Sequence, residues 1–144
     1  MRNRDDYYRK KDIALRAKAI ALTHALRKLH KALIDVETQY FGAVGSPLEH
    51  LQLITTHPHF AWLQKLSSLM AELDERLDEK EHPFDSDTAA DFRTAVEALI
   101  GPGKEIDAEF RRKYNVLLHD GPDVVIAHGA VRQALAGMGV SRPQ

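Results

Sequence analysis

Apolar residues recur at helical spacing through most of the 144-residue chain. The longest such pattern falls in residues 15–40, where its members are spaced by alternating fours and threes: Leu15, Ala19, Leu22, Leu26, Leu29, Leu33, Val36 and Tyr40. That spacing places these side chains on one stripe of an α-helix about 39 Å long, at about 1.5 Å per residue. A stripe of this length needs other helices to cover it, so later segments must supply them.

A second apolar row on the same helix consists of Ile13, Ile20, Ile34 and Phe41. The buried face is therefore wider than a two-stranded coiled coil needs, which favours a bundle. Residues 1–10 are polar and lack periodicity. We therefore predict a flexible tail over 1–10, a single helical-bundle domain over 11–136 and a second flexible tail over 137–144.

The next element begins with the strongest local signal in the chain. Gly42 and Gly45 end the first helix, and Ser46, Pro47 and Glu49 form the pattern of a capping box with proline at the first helical position. Because the turn is short, we expect the second helix to run antiparallel to the first.

The second helical segment is interrupted at Pro58, which lacks a backbone N–H and pushes His57 out of helical geometry. The sequence predicts either two helices, over 47–56 and 58–80, or one kinked helix. The longer part carries its own apolar stripe beside Trp62, made of Leu63, Leu66, Met70, Leu73 and Leu77.

The last third of the chain predicts two further helices. A cap at Thr88 with Asp91 begins a helix over about 88–100, and Gly101-Pro102-Gly103 ends it. A fourth helix follows from about residue 105 and is interrupted at Gly121-Pro122. An alternative is a β-hairpin over residues 116–126, because short apolar runs flank an Asp-Gly pair. The proline and the helical spacing up to Leu135 favour helix.

These patterns together predict an all-α, up-and-down four-helix bundle with a long first helix and breaks near Pro58 and Pro122. Three stretches also resemble an uncharacterised family of small bacterial all-helical proteins: Leu29–Leu33, Phe60–Glu75 (FAWLxxLSxLMxxxDE) and Val124–His128 (VVxAH). The resemblance spans most of residues 25–135. It implies a bacterial, all-helical protein, and because the family has no established activity it assigns no functional residue.

Charge and composition narrow the function classes. The formal net charge is −1 and the chain has no cysteine, which excludes disulfides, thiolate metal sites and cysteine nucleophiles. Residues 1–31 hold ten Lys/Arg, whereas residues 72–87 hold eight acids, and an antiparallel hairpin lays these runs side by side. We therefore expect no nucleic-acid binding. Neither a secretory signal nor a membrane span is present, so we predict a cytoplasmic protein with no membrane association.

Eight histidines are the main candidates for chemistry. A di-iron bundle needs Glu-x-x-His on two helices, and the pattern occurs once, at Glu79–His82 beside a proline. We therefore predict no metal and no cofactor. His128 lies on an apolar stripe and His30 on the flank of another. Each is therefore either a core histidine hydrogen-bonded to a neighbour, or one member of a His30–His128 pair that lines a cavity.

Our functional prediction is a non-enzymatic protein that acts through helix–helix association, as a homodimer or with a helical partner. No catalytic residue is assigned. The alternative is a small-molecule-binding bundle, or an enzyme, with a pocket near the helix breaks. Its candidate ligand-binding residues are His30, His59, Trp62 and His128.

Overall fold

The computed structural model describes residues 4–42, 45–102 and 106–138. This part of the chain forms six α-helices and one 3₁₀-helix: α1 (Arg4–Phe41), α2 (Pro47–Thr56), the 3₁₀-helix (Pro58–Leu63), α3 (Gln64–Asp78), α4 (Ser86–Ile100), α5 (Ala108–Asp120) and α6 (Pro122–Met138). The all-helical prediction is confirmed. The four-helix count is not, because Pro58 and Pro122 each begin a separate helix, where a missing N–H costs nothing. Of the tail predicted over 137–144, Gly137 and Met138 instead belong to α6, and Met138 is buried. The rest of that tail and the predicted stop at Gly103 lie outside the described residues.

The core is organised around α1. The inner stripe is buried from Leu15 to Leu33, as the spacing predicts, and it packs most extensively against α6 and then against α3. Near the end of the helix Val36 is only half-buried and Tyr40 is exposed. The Tyr40 hydroxyl instead donates a hydrogen bond to the Asp120 carboxylate at the end of α5.

Helix α1 begins at Arg4, so the predicted tail over residues 1–10 is wrong for residues 4–10. These turns are solvated and have no apolar period for a sequence pattern to detect. Ion pairs within the helix stabilise them, since Asp6 lies 3.0 Å from Arg9 and 3.5 Å from Lys10.

The antiparallel partner of α1 is α3 rather than α2. Arg27 contacts Asp74 at 3.1 Å, and further along the pair Arg16 donates to the Leu77 carbonyl at 3.0 Å. The predicted opposition of basic and acidic runs is therefore present across α1 and α3. Helix α2 contains no buried residue, because the break at Pro58 leaves the 3₁₀-helix, with buried Phe60, to pack on α1.

Arg16 connects α1 to the loop after α3. Its guanidinium donates to the carbonyls of Leu77 and Glu79, at 3.0 and 3.1 Å, and to that of His82. Asp12 holds the guanidinium at 3.1 Å and also accepts the Phe84 N–H. One arginine thus satisfies the Leu77 carbonyl at the end of α3 and binds two further carbonyls in the segment that follows it.

The helix ends follow their caps. The Ser46 capping box is confirmed, with both reciprocal hydrogen bonds to Glu49 present. The predicted cap at Thr88 is wrong, because Asp85 is the N-cap and accepts the Thr88 N–H at 2.9 Å. The β-hairpin alternative is also wrong, because α5 continues to Asp120 and α6 begins at Pro122. At Gly121 between them an added Cβ would come within 3.0 Å of Val36, so glycine permits the close approach of α1.

Candidate functional site

A buried carboxylate joins the end of α1 to the 3₁₀-helix. Glu37 is 5% exposed, and its carboxylate accepts the indole N–H of Trp62. His59 also contacts Glu37. Its ring atom Nε2 lies 2.9 Å from the Glu37 carbonyl oxygen and 3.3 Å from the Glu37 carboxylate atom Oε1. Two of the four predicted site residues, His59 and Trp62, therefore converge on Glu37.

The local sequence explains why these groups meet. Gly42 adopts φ +106°, which ends α1 directly after the Glu37 turn. His57, the residue before Pro58, is extended, and its Nδ1 accepts the His59 N–H at 3.0 Å as the cap of the 3₁₀-helix. This cap fixes the direction of the 3₁₀-helix and turns His59 and Trp62 toward α1.

The geometry of this junction suits binding and support more than catalysis. The Glu37 carboxylate is already engaged by two donors, and the Phe41 ring packs near His59 with centroids 5.5 Å apart. A carboxylate in this setting orients its donors, because hydrogen bonds to an ionised acceptor are stronger than neutral ones.

His128 lies in a different environment. Its Nδ1 shares a 2.6 Å hydrogen bond with the hydroxyl of Tyr114, which is fully buried. Burial lowers the pKa of His128, with Arg132 and Arg111 adding to the effect, and burial raises the pKa of the Tyr114 phenol. The pair is therefore a neutral phenol against an imidazole that favours its neutral form.

A continuous row of aromatic rings connects the two sites. Trp62 packs on Phe110 with centroids 4.9 Å apart, Phe110 on Tyr114 at 5.9 Å, and Tyr114 on His128 at 5.7 Å. Each member is contributed by the 3₁₀-helix, α5 or α6. The row makes a packed layer in which Phe110 is a buried apolar ring and the other three rings each make a hydrogen bond.

His30 faces another part of the molecule. It lines a cavity of about 400 Å³ between α1, α2, the 3₁₀-helix and α3, together with apolar side chains that include Phe60. Burial lowers its pKa. The proposed His30–His128 pair is therefore not formed, because His128 is engaged by Tyr114 while His30 faces the α2 side of α1.

A smaller cleft of about 320 Å³ lies beside Trp62, and Lys65 and Lys113 also line it. Lys65 is 2.6 Å from Asp107, the N-cap of α5. That hydrogen bond raises the pKa of Lys65 and lowers the pKa of Asp107. Lys65 is thus already occupied in tying α3 to the start of α5.

Sequence reasoning missed Glu37 and Tyr114 as partners of the predicted residues. Glu37 lies four residues after Leu33 on the buried stripe. An acidic residue at an inward-facing position of α1 was therefore the sequence feature that could have identified it. Tyr114 falls on the inward row of the fourth predicted helix, but its link to His128 depends on how α5 and α6 pack.

Neither a metal site nor a membrane span is found in the described ranges. Residues 4–42, 45–102 and 106–138 contain no group of three or more histidine, aspartate or glutamate side chains arranged to hold a metal ion. The helices over these same ranges include none with the length and apolar character needed to cross a bilayer.

The chain was compared with family models, curated proteins and solved structures, and none matches it. The resemblance to a bacterial helical family stays a prediction. Function must therefore be argued from the surfaces and cavities of this structure.

Proposed function

We propose that this protein acts through helix–helix association, and that it forms a homodimer through the outward face of α1. The observation that carries the proposal is the exposure of two isoleucines on that face. Ile13 is 61% exposed and Ile20 is 47% exposed, although the opposite side of the same helix is fully buried in the core.

The residues around these isoleucines make the face suitable for close helix packing. Ala17 and Ala21 are exposed beside them and His24 follows one turn after Ile20, so this face of α1 combines two large apolar side chains with two small ones. Small residues let a second helix approach closely, and large apolar side chains then gain most from being covered. We call this outward face of residues 13–24 the α1 face.

Charge favours a second copy of the chain as the occupant. Exposed charges that flank the α1 face are largely basic, including Lys18 and Lys28, whereas the adjacent exposed surface of α3 carries Glu75 and Asp78. Two α1 helices packed directly on each other would oppose basic residues. Placing α1 of each copy over α3 of the other brings opposite charges together at both contacts.

A two-fold axis running parallel to the helices produces this arrangement. Helices α1 and α3 are antiparallel neighbours, with Arg27 level with Asp74. Rotation about an axis between them lays the α1 segment near His24 on the end of the other copy's α3, and Ile20 and Ile13 on the segment that follows it, so both contacts are identical. Such an isologous contact closes after two copies, which is the commonest form of soluble oligomer.

Sedimentation velocity across a dilution series tests the proposal. The wild-type chain is expected to sediment as a dimer at high concentration and to dissociate on dilution. Ile20→Lys places a charge in the α1 face and is expected to raise the dissociation constant by about 10- to 100-fold, since burying half of an isoleucine in each copy contributes about 1.5–3 kcal/mol in total.

The matched control is Ile126→Lys on α6, because Ile126 is 72% exposed and lies on another helix. This substitution is expected to leave the dissociation constant unchanged. A wild-type chain that remains a monomer at every concentration would overturn the proposal. Equal effects of Ile20→Lys and Ile126→Lys would also overturn it, because they would show that the α1 face is not the contact.

A further inference from the structure

The cavity beside His30 has the dimensions and lining of a small-molecule site. Its volume is about 400 Å³, within the range of about 300–1,000 Å³ that ligand pockets occupy. Phe60 and Leu63, both buried, form one part of the lining, and Ile34 and Ile54 contribute further apolar surface. The cavity is distinct from the α1 face, because it lies toward the other end of α1.

Helix α2 forms one wall of this cavity and packs on the edge of the core. It has no fully buried residue, but Leu53 and Ile54 are half-buried against the core, and polar contacts near its two ends add to this packing. Thr38 Oγ1 and His50 Nε2 are 2.9 Å apart at one end, and Gln64 Nε2 donates to the Thr55 carbonyl at 3.4 Å at the other. Ile54 lines the cavity together with the buried Phe60. Movement of α2 away from the bundle therefore opens the cavity and exposes this apolar lining, which a bound apolar ligand would cover again.

His30 is the one polar side chain from α1 in the cavity wall. Its ring makes no hydrogen bond with any residue in the described part of the chain, in contrast to His59 and His128. Burial lowers the pKa of His30, so the neutral imidazole offers one donor and one acceptor. An unused hydrogen-bonding group at the edge of an apolar space gives a ligand a defined orientation.

The lining also defines the charge of the ligand. Apart from His30, the wall consists of apolar residues and uncharged polar ones such as Ser67 and Ser68. An ionised ligand would find no counter-charge there and would lose its hydration. A cavity of about 150 Å³ accommodates benzene, so this larger space suits a molecule of two or three rings or a short alkyl chain.

We propose that the cavity between α1, α2 and α3 binds an uncharged, mainly apolar small molecule that hydrogen-bonds to His30. Helix α2 serves as the movable cover, with Leu51 at the mouth. Leu51 is 56% exposed and lines the cavity, so it contacts the ligand from the solvent side.

Fluorescence titration of the full chain with N-phenyl-1-naphthylamine tests this proposal. This probe is uncharged and apolar and has one N–H donor for the imidazole. Saturable binding of one probe per chain is expected, and the anionic probe 8-anilinonaphthalene-1-sulfonate is expected to bind at least about tenfold more weakly, because it carries a charge into an uncharged lining.

Two exposed leucines on α2 provide a matched pair of variants. Leu51→Lys is expected to weaken binding of the uncharged probe by about tenfold or more, because it puts a charge at the mouth of the cavity. Leu48→Lys makes the same change on the same helix, at a leucine that is 63% exposed and does not line the cavity, and is expected to leave binding unchanged.

His30→Leu removes the hydrogen bond while keeping the space apolar, and is expected to weaken probe binding by about five- to tenfold. His24→Leu, on the exposed side of α1, is its control. Circular dichroism verifies that each variant folds. If His30→Leu does not fold, the comparison of Leu51→Lys with Leu48→Lys still tests the proposal. Absence of saturable binding, equal losses in the two leucine variants, or preference for the anionic probe would overturn the proposal.

Discussion

Removing the Glu37 carboxylate should loosen the junction between α1 and the 3₁₀-helix. In Glu37→Ala the Trp62 indole N–H loses its acceptor, while His59 keeps its 2.9 Å hydrogen bond to the residue-37 carbonyl. The perturbation is therefore confined mainly to one strong hydrogen bond and to the 3.3 Å contact between the carboxylate and the His59 ring. Both are partly shielded from water, since Glu37 is 5% exposed.

The size of the effect follows from these contacts. A hydrogen bond to a charged acceptor contributes about 1.5–3 kcal/mol, and leaving the half-buried indole N–H unpaired accounts for most of that loss. Relief of the desolvated carboxylate offsets part of the loss. We expect Glu37→Ala to lower the free energy of unfolding by about 1.5–2.5 kcal/mol and Glu37→Gln, which still accepts from Trp62, by about 1 kcal/mol.

Urea denaturation followed by tryptophan fluorescence measures this directly, because Trp62 is the chain's one tryptophan. Asp35→Ala is the matched control: Asp35 forms an exposed ion pair with Lys31 at 3.0 Å, which contributes about 0.5 kcal/mol or less. The reasoning is refuted if Glu37→Ala and Asp35→Ala unfold at the same urea midpoint with unchanged slopes.

Three further predictions concern stability and can be read from the same urea midpoints. Arg16→Ala should cost about 2–3 kcal/mol, and Arg16→Lys should recover only part of it, because lysine cannot reach three carbonyls at once. Leu26→Ala should cost about 2–5 kcal/mol by leaving a cavity in the core, whereas a loss below about 1 kcal/mol would contradict its burial. Burial lowers the pKa of His30 and His128, so their unfolded forms bind protons more readily. Stability should therefore be greatest above about pH 6.5 and fall toward pH 5, and the double variant to glutamine should flatten that slope.

Much of the fold could be predicted because its signals are local. The buried stripe from Leu15 to Leu33, the Ser46 capping box and the break at Pro58 each depend on residues a few positions apart. The start of α1 at Arg4 could not be predicted in the same way, because solvated turns with polar residues have no hydrophobic period.

The candidate sites were less accessible to sequence reasoning because they depend on long-range packing. His59 and Trp62 were selected for their place beside the break, but their shared partner Glu37 lies 22 and 25 residues earlier. The His30 cavity is lined by residues of α1, α2, the 3₁₀-helix and α3, so it depends on how four separate elements pack. The role of His128 was fixed only by the packing of α5 on α6.

Intermolecular disulfide formation tests the central claim, that α1 of one copy packs on α3 of another. The chain has no cysteine, so two single-cysteine variants can be mixed without background: His24→Cys on the α1 face and Asp78→Cys at the end of α3. Because Arg27 is level with Asp74, these positions should meet across the proposed dimer. The account predicts disulfides that join a His24→Cys chain to an Asp78→Cys chain, in preference to disulfides between two copies of the same variant. Two results would contradict it: disulfides only between two His24→Cys chains, or a yield of disulfide-linked dimer no higher than that of a Gly129→Cys control on α6.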